Sequence, residues 1–215
     1  MSDIAPPDGE LPAGDFSSWL MELDAALRGH SDSKVPCGSC YTCCTSSQFI
    51  HIAPDETDTL AHIDARLLFP APGAPRGHVL LGYDERGHCP MLVENRCTIY
   101  AHRPRTCRTY DCRAFPAAGL TVADMPENQQ RIGQHADRWR FRYHTKADRT
   151  RQQAVVSAAR YLREHTAELP PDSVPNNPTQ LAVLAILVHQ VFIHDEKLIT
   201  PTLDVVRAKI AAPRR

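Results

Sequence analysis

Eight cysteines lie between Cys37 and Cys112 of the 215-residue chain, and none follows. Cys37, Cys40, Cys43 and Cys44 form a C-x2-C-x2-C-C run; Cys89, Cys97, Cys107 and Cys112 come singly after it. A C-x2-C turn carries two thiolates to one side of the chain, which suits zinc and iron–sulfur clusters alike. The first three cysteines match the opening of a ferredoxin cluster run. The ferredoxin continuation is missing, because Cys44 follows at once and the one Cys-Pro pair is Cys89-Pro90. Neighbours such as Cys43 and Cys44 point in different directions on most backbones. One can complete a first site while the other faces a second site or the core. Eight thiols suffice for two four-thiolate sites, for one polynuclear cluster, or for one site with spare thiols.

Five arginines, Arg96, Arg103, Arg105, Arg108 and Arg113, accompany the last cysteines, with Asp111 as the only acid among them. Guanidinium groups beside thiolates offset their charge and lower their pKa values. Arg103 and Arg108 are on that argument the cofactor-binding candidates. An anion pocket and a solvated basic face are the weaker alternatives. His51, His88 and His102 are the histidines nearest the cysteines in sequence, but with eight thiols at hand no histidine ligand is needed. Asp84 and Asp111 read as single carboxylates without a visible partner. No nucleophile elbow, zinc-protease helix, phosphate loop or dinucleotide fingerprint occurs, so the catalytic residues, if any, are unknown.

Compartment decides between metal and disulfides. The opening Met-Ser-Asp-Ile-Ala-Pro-Pro-Asp-Gly-Glu has neither the basic nor the apolar region of a secretory signal. The most apolar stretch, Leu181 to Ile193, is interrupted by His189 and Gln190 and falls short of the roughly 20 residues of a membrane span. A cytoplasmic protein without membrane contact is the expectation. There, dense cysteine points to metal before disulfides. With 24 Lys+Arg against 25 Asp+Glu, the formal charge of −1 argues against nucleic acid as a partner.

These thiols need elements to position them. Residues 1–14, rich in Pro, Gly and Asp, are expected as a disordered tail, and 15–215 as a single domain. Phe16, Trp19, Leu20, Leu23 and Leu27 form a helical stripe, with Asp15 or Ser17 as its cap. Short strands are expected at 48–52, 78–83, 89–93 and 97–100, around a helix over 54–68. Asp84 to Gly87 and Glu94-Asn95 are tight turns between them. Helices follow over 147–169, 179–194 and from Thr200-Pro201 to Ile210. The second, apolar on nearly every side, is expected at the centre of the core. The fold class is therefore α+β and helix-rich. An irregular metal-stapled region (35–113) with a short antiparallel β meander packs on a helical scaffold (114–215).

Three blocks in order carry a resemblance. Cys37-Gly38-Ser39-Cys40-Tyr41-Thr42-Cys43-Cys44, Cys89-Pro90-Met91-Leu92 and Cys97-Thr98-Ile99-Tyr100-Ala101-His102-Arg103-Pro104-Arg105-Thr106-Cys107-Arg108 resemble the YkgJ-type CxxCxxCC family of zinc- or iron-chelating proteins. The resemblance implies metal chelation by the cysteines, as an iron–sulfur cluster or zinc, in a structural or redox role. Some members, such as the flagellin lysine N-methylases, resemble cluster-bearing enzymes, which makes cluster-dependent methyl transfer or redox catalysis the alternative. A zinc-dependent interaction module is the third reading.

Overall fold

The computed structural model describes residues 9–212. Residues 1–8 of the expected tail lie outside them. From Leu11, however, the chain is ordered: β1 (Leu11–Asp15) leads directly into α1 (Phe16–Leu27). The sequence of β1 looks like coil because it holds Pro12 and Gly14. Both are accommodated by an irregularity in its pairing, where the register shifts between them. α1 buries Phe16, Trp19, Leu20, Leu23 and Ala26, as its stripe requires. Asp15 occupies the cap position but makes no capping bond. Its carboxylate is instead held by Arg142 at 2.8 Å and His144 at 2.7 Å.

The cysteine half is built from short pieces. β2 (Ile50–Ile52), β3 (Leu68–Pro70) and β4 (Val79–Leu81) form an antiparallel sheet in the order β2-β4-β3. α2 (Thr57–Ala61) is shorter than the expected helix. The chain breaks at His62 and re-forms as a 3-10 turn at Ala65–Leu67, where the Asp64 carboxylate accepts from the Arg66 amide. β5 (Leu92–Val93) and β6 (Arg96–Cys97) make a hairpin whose Glu94 and Asn95 both have positive φ, 49° and 61°. That pair of conformations matches the right-handed strand twist of a two-residue turn. The expected four-strand meander is thus two separate sheets. Asp84 to Gly87 is a turn between β4 and the Cys89 segment and does not join paired strands.

After α3 (Arg105–Thr109) and α4 (Ala114–Ala117), the chain becomes helical around α5 (Gln130–Ala136). β7 (Trp139–Arg142) then pairs in parallel with β1, a partner more than a hundred residues away. α6 (Lys146–Glu164) starts at a capping box. Thr145 Oγ1 accepts from the Asp148 amide at 3.1 Å, and the Asp148 carboxylate accepts from the Thr145 amide at 2.8 Å. The Asp148 carboxylate also accepts from the Ser17 hydroxyl, which lashes α6 to α1. α7 (Pro178–Val188) opens with Asn177 accepting from the Gln180 amide at 2.9 Å. It ends earlier than expected, passing through a 3-10 turn into the hairpin β8 (Ile193–His194) and β9 (Lys197–Leu198). α8 (Leu203–Ala211) closes the described chain; its cap position is Thr202, not Thr200.

Two apolar clusters result. The larger joins α1, α4, α5 and β7 to α6 and α7, with Phe16, Phe115, Leu162, Ile186 and Phe192 among its buried side chains. The smaller holds Ile52, Ile63, Leu81 and Ile99 under the three-stranded sheet. α7 is not central in the way its composition suggests. Ala182, Ala185, Ile186 and Val188 are buried, whereas Leu181, Val183, Leu184 and Leu187 are half-buried. Leu184 and Leu187 line an open groove with Val174, Lys209 and Ile210.

Burial separates the helix positions energetically. Leu162, fully buried on α6, is expected to cost about 2–5 kcal/mol when cut to alanine. The readout is the denaturant midpoint at unchanged slope. Leu184→Asp, at the groove, should shift the midpoint less than Ile186→Asp; equal shifts would return Leu184 to the core.

Candidate metal centre

Each cysteine owes its place to a local backbone device. Cys40 N donates to Cys37 O at 2.8 Å, closing a tight turn in which Gly38 has φ 54°. A 3-10 turn over Thr42–Thr45 follows, and the Ser46 hydroxyl, fully buried, ties it by donating to Thr42 O at 2.7 Å. The second block docks through main chain: Cys89 N donates to Cys44 O at 2.8 Å, and Ser47 N to Gly87 O at 3.0 Å. Gly87 is required there. Its φ is 78°, and a Cβ would come within 2.3 Å of Ser47 Oγ.

Cys97 sits in β6 opposite Leu92. Cys107 lies on α3, which the Thr106 hydroxyl fastens to β2 by donating to His51 O at 2.6 Å. Cys112 is buried in the larger cluster, where Trp139 Nε1 donates to its sulfur at 3.2 Å. Cys89 and Cys97 pack against the smaller cluster. The cysteines therefore occupy the seam between the two cores, with Cys37 and Cys43 exposed.

The thiols sense one another, with Cys43 acting on Cys37, Cys44, Cys89 and Cys107 alike. Burial, then the charges of Cys43, Cys89 and Cys97, push Cys107 up to about 12, partly opposed by Arg103. Cys44 is raised by its hydrogen bond with Cys43, by burial, and by the charges of Cys43, Cys89 and Cys107. Burial raises Cys89 too, with Cys97 and Cys43 adding to it. On the other side, burial and the charges of Cys40 and Cys43 lift Cys37 to about 11. Cys112 reaches about 12 through burial, with Asp111, Cys37 and Cys40 adding to it against the Trp139 hydrogen bond. Crowded thiols that resist ionisation are relieved by a cation, which replaces their protons and neutralises their charge. The donor set fits a soft metal centre.

Cys40 is different. Burial raises it, but hydrogen bonds from His135 and Thr42 outweigh that and bring it down to about 7. The His135 Nε2 lies 3.6 Å from Cys40 Sγ and the Thr42 hydroxyl 3.2 Å. His135 comes from α5 and carried no signal in the sequence, since only the fold brings it beside Cys40.

The arginines divide. The Arg103 guanidinium lies 3.7 Å over the Tyr100 ring, and its Nε donates to Tyr100 O at 2.9 Å. Arg108 reaches Asp32 at 3.7 Å, and its buried Nε has no hydrogen-bond partner among the described residues. Arg105 pairs with Asp55 at 2.8 Å, on the surface. Arg113 is buried and bidentate on Asp111, so Asp111 does have a partner. Asp84 accepts from the amides of Arg86 and His88. Tyr100 is exposed, while Tyr110 packs against the larger cluster. Of the histidines near the cysteines in sequence, His51 pairs with His78 at 2.8 Å and His102 with Asp58 at 2.8 Å. His189 is a core residue bonded to Ile186 O.

Because its pKa is lowered to about 7, Cys40 is thiolate above neutral pH, whereas Cys37 stays protonated until about 11. In metal-free protein at pH 8, iodoacetamide should label Cys40 before Cys37, read by peptide mass spectrometry. His135→Gln should move the half-rate pH of Cys40 labelling upward. An unmoved profile would remove His135 from the centre.

No curated protein and no solved structure matches the chain. Residues 36–134, the segment that carries all eight cysteines and ends just before His135, match the model of the CxxCxxCC family, described as "Putative zinc- or iron-chelating domain".

Proposed function

We propose that the chain is a metal protein whose eight cysteines act as two donor groups. Cys37, Cys40, Cys43 and Cys112 form one, and Cys44, Cys89, Cys97 and Cys107 the other. The observation that carries this reading is the pattern of mutual influence among the thiols. Cys112 feels the charges of Cys37 and Cys40, while Cys44 feels Cys89 and Cys107, Cys89 feels Cys97, and Cys107 feels Cys89 and Cys97. Cys43 borders both, its sulfur 4.0 Å from that of Cys44.

Iron–sulfur occupancy is favoured over single zinc ions by spacing. Tetrahedral zinc with Zn–S bonds near 2.3 Å holds its sulfurs about 3.8 Å apart. Among the described residues, no three cysteine sulfurs lie within 4.8 Å of one another. Larger clusters hold their thiolates farther apart. A bound cluster supplies one-electron transfer; zinc would supply a cross-link. The chain's residues tune either one: Trp139 donates to the Cys112 sulfur, which in general shifts cluster potentials. Arg103 offsets charge at Cys107, and we assign Arg108, with its unpartnered Nε, to the same task. Exposed Cys37 and Cys43 leave the centre within reach of a redox partner, in keeping with an electron-transfer role.

Metal analysis and a visible spectrum of anaerobically purified protein test this. Brown protein with iron and sulfide is expected; colourless protein with zinc overturns the iron–sulfur assignment while keeping the donor groups. Cys112→Ala and Cys89→Ala should each lose about half of the metal. Complete loss from either single variant would mean one shared centre. A Cys37/Cys40/Cys43 triple alanine variant with full metal and an unchanged melting temperature would overturn the proposal.

A further inference from the structure

We infer a second metal site, separate from the cysteines, for a divalent cation of the zinc class held by His62 and His102 with Asp58. The three residues come from two elements, α2 and the 3-10 turn Tyr100–His102. Their ligand atoms all lie within 4.8 Å of one another. The imidazole rings of His62 and His102 stack with centroids 3.5 Å apart and planes only 8° from parallel.

Both rings turn a nitrogen toward Asp58. His62 Nδ1 lies 2.8 Å from the Asp58 backbone carbonyl and 3.8 Å from its carboxylate. His102 Nδ1 lies 2.8 Å from the same carboxylate. A cation here would take the place of the protons at these contacts, with the two Nδ1 atoms and one carboxylate oxygen turned to it.

The groups facing the site permit a cation. Asp58 is 70% exposed at its side chain, and both histidines are partly exposed, so water can complete the coordination. Arg108 acts on Asp58 from a distance and is itself directed toward Asp32. Two histidines and a carboxylate with open positions suit zinc and its neighbours in the first transition row, not calcium or magnesium, which take oxygen. A cation there would clip α2 to the turn that precedes α3 and Cys107.

The test is calorimetric titration of zinc chloride into protein whose cysteine centre is already loaded, freed of excess metal. One further equivalent is expected in the wild type, accompanied by a rise in melting temperature. His62→Ala and His102→Ala should each abolish it, and Asp58→Asn should weaken it at least tenfold. These side chains are partly or fully exposed, so the variants should fold and keep the cysteine-bound metal, checked by the visible spectrum. Cobalt(II) at the site should give weak ligand-field bands without thiolate charge-transfer absorption. Absence of an extra equivalent, an unchanged isotherm in His62→Ala, or thiolate charge transfer from the added cobalt would each overturn the inference.

Discussion

The buried pair of Asp111 and Arg113 holds the two halves of this protein in register. The Arg113 and Asp111 side chains are 6% and 1% exposed and share a bidentate contact, with the shorter bonds at 2.7 and 2.9 Å. The pair's other hydrogen bonds reach separate segments of the chain. Trp19 of α1 donates to Asp111 at 2.9 Å and Ser33 at 3.0 Å; Arg113 donates to Ala13 O in β1 at 3.0 Å and to Lys34 O at 3.3 Å. Two charges so deep in the protein cost several kcal/mol each to desolvate, and only full hydrogen bonding offsets it. Removing one partner would leave the other charged and alone, a loss of about 3–5 kcal/mol. Cys112 lies between the two in sequence, and Lys34 lies three residues before Cys37. The same pair therefore sets both the deepest cysteine and the entry to the cysteine loop.

Around that anchor, the centre draws opposite properties from its two sides. The larger apolar cluster supplies burial and the Trp139 N–H to Cys112. The smaller cluster supplies a shallow platform of strands, under which Cys89 and Cys97 are only partly enclosed. A low-dielectric wall raises thiol pKa values and strengthens the grip on a cation, while the open face allows exchange with solvent. Neither core contains the whole set of cysteines. This explains why the irregular segment between Cys37 and Cys112 can fold without long helices or strands of its own.

Much of this was legible beforehand, and the exceptions have physical causes. The stripe of α1 and the long pattern of α6 announced themselves, because a helical face needs only local periodicity. The Cys run and the Glu94-Asn95 turn were equally plain, since each is specified by adjacent residues. β1 was hidden because its ladder partner is β7, far along the chain, and because Pro12 and Gly14 imitate coil. The extent of α7 was misjudged for another reason: an apolar composition does not reveal which face is covered, and Leu184 faces a groove. Asp111 looked solitary because an acid two residues from an arginine has no preferred reading without the turn that folds them together. His135 and the stack of His62 on His102 depend on tertiary placement alone, and no spacing rule would have found them.

The parallel pairing of β1 with β7 has a consequence in time. Leu11 pairs with Trp139, so the first described strand finds no ladder partner until nearly two-thirds of the chain has been made. A chain emerging from the ribosome has exposed all eight cysteines well before that strand can be fastened. Ala13 is also the acceptor for Arg113, so the wall behind Cys112 is finished only by this late closure. During synthesis the thiols thus pass through an interval in which the segment that holds them is made but the wall behind Cys112 is not. The slow, long-range step comes last.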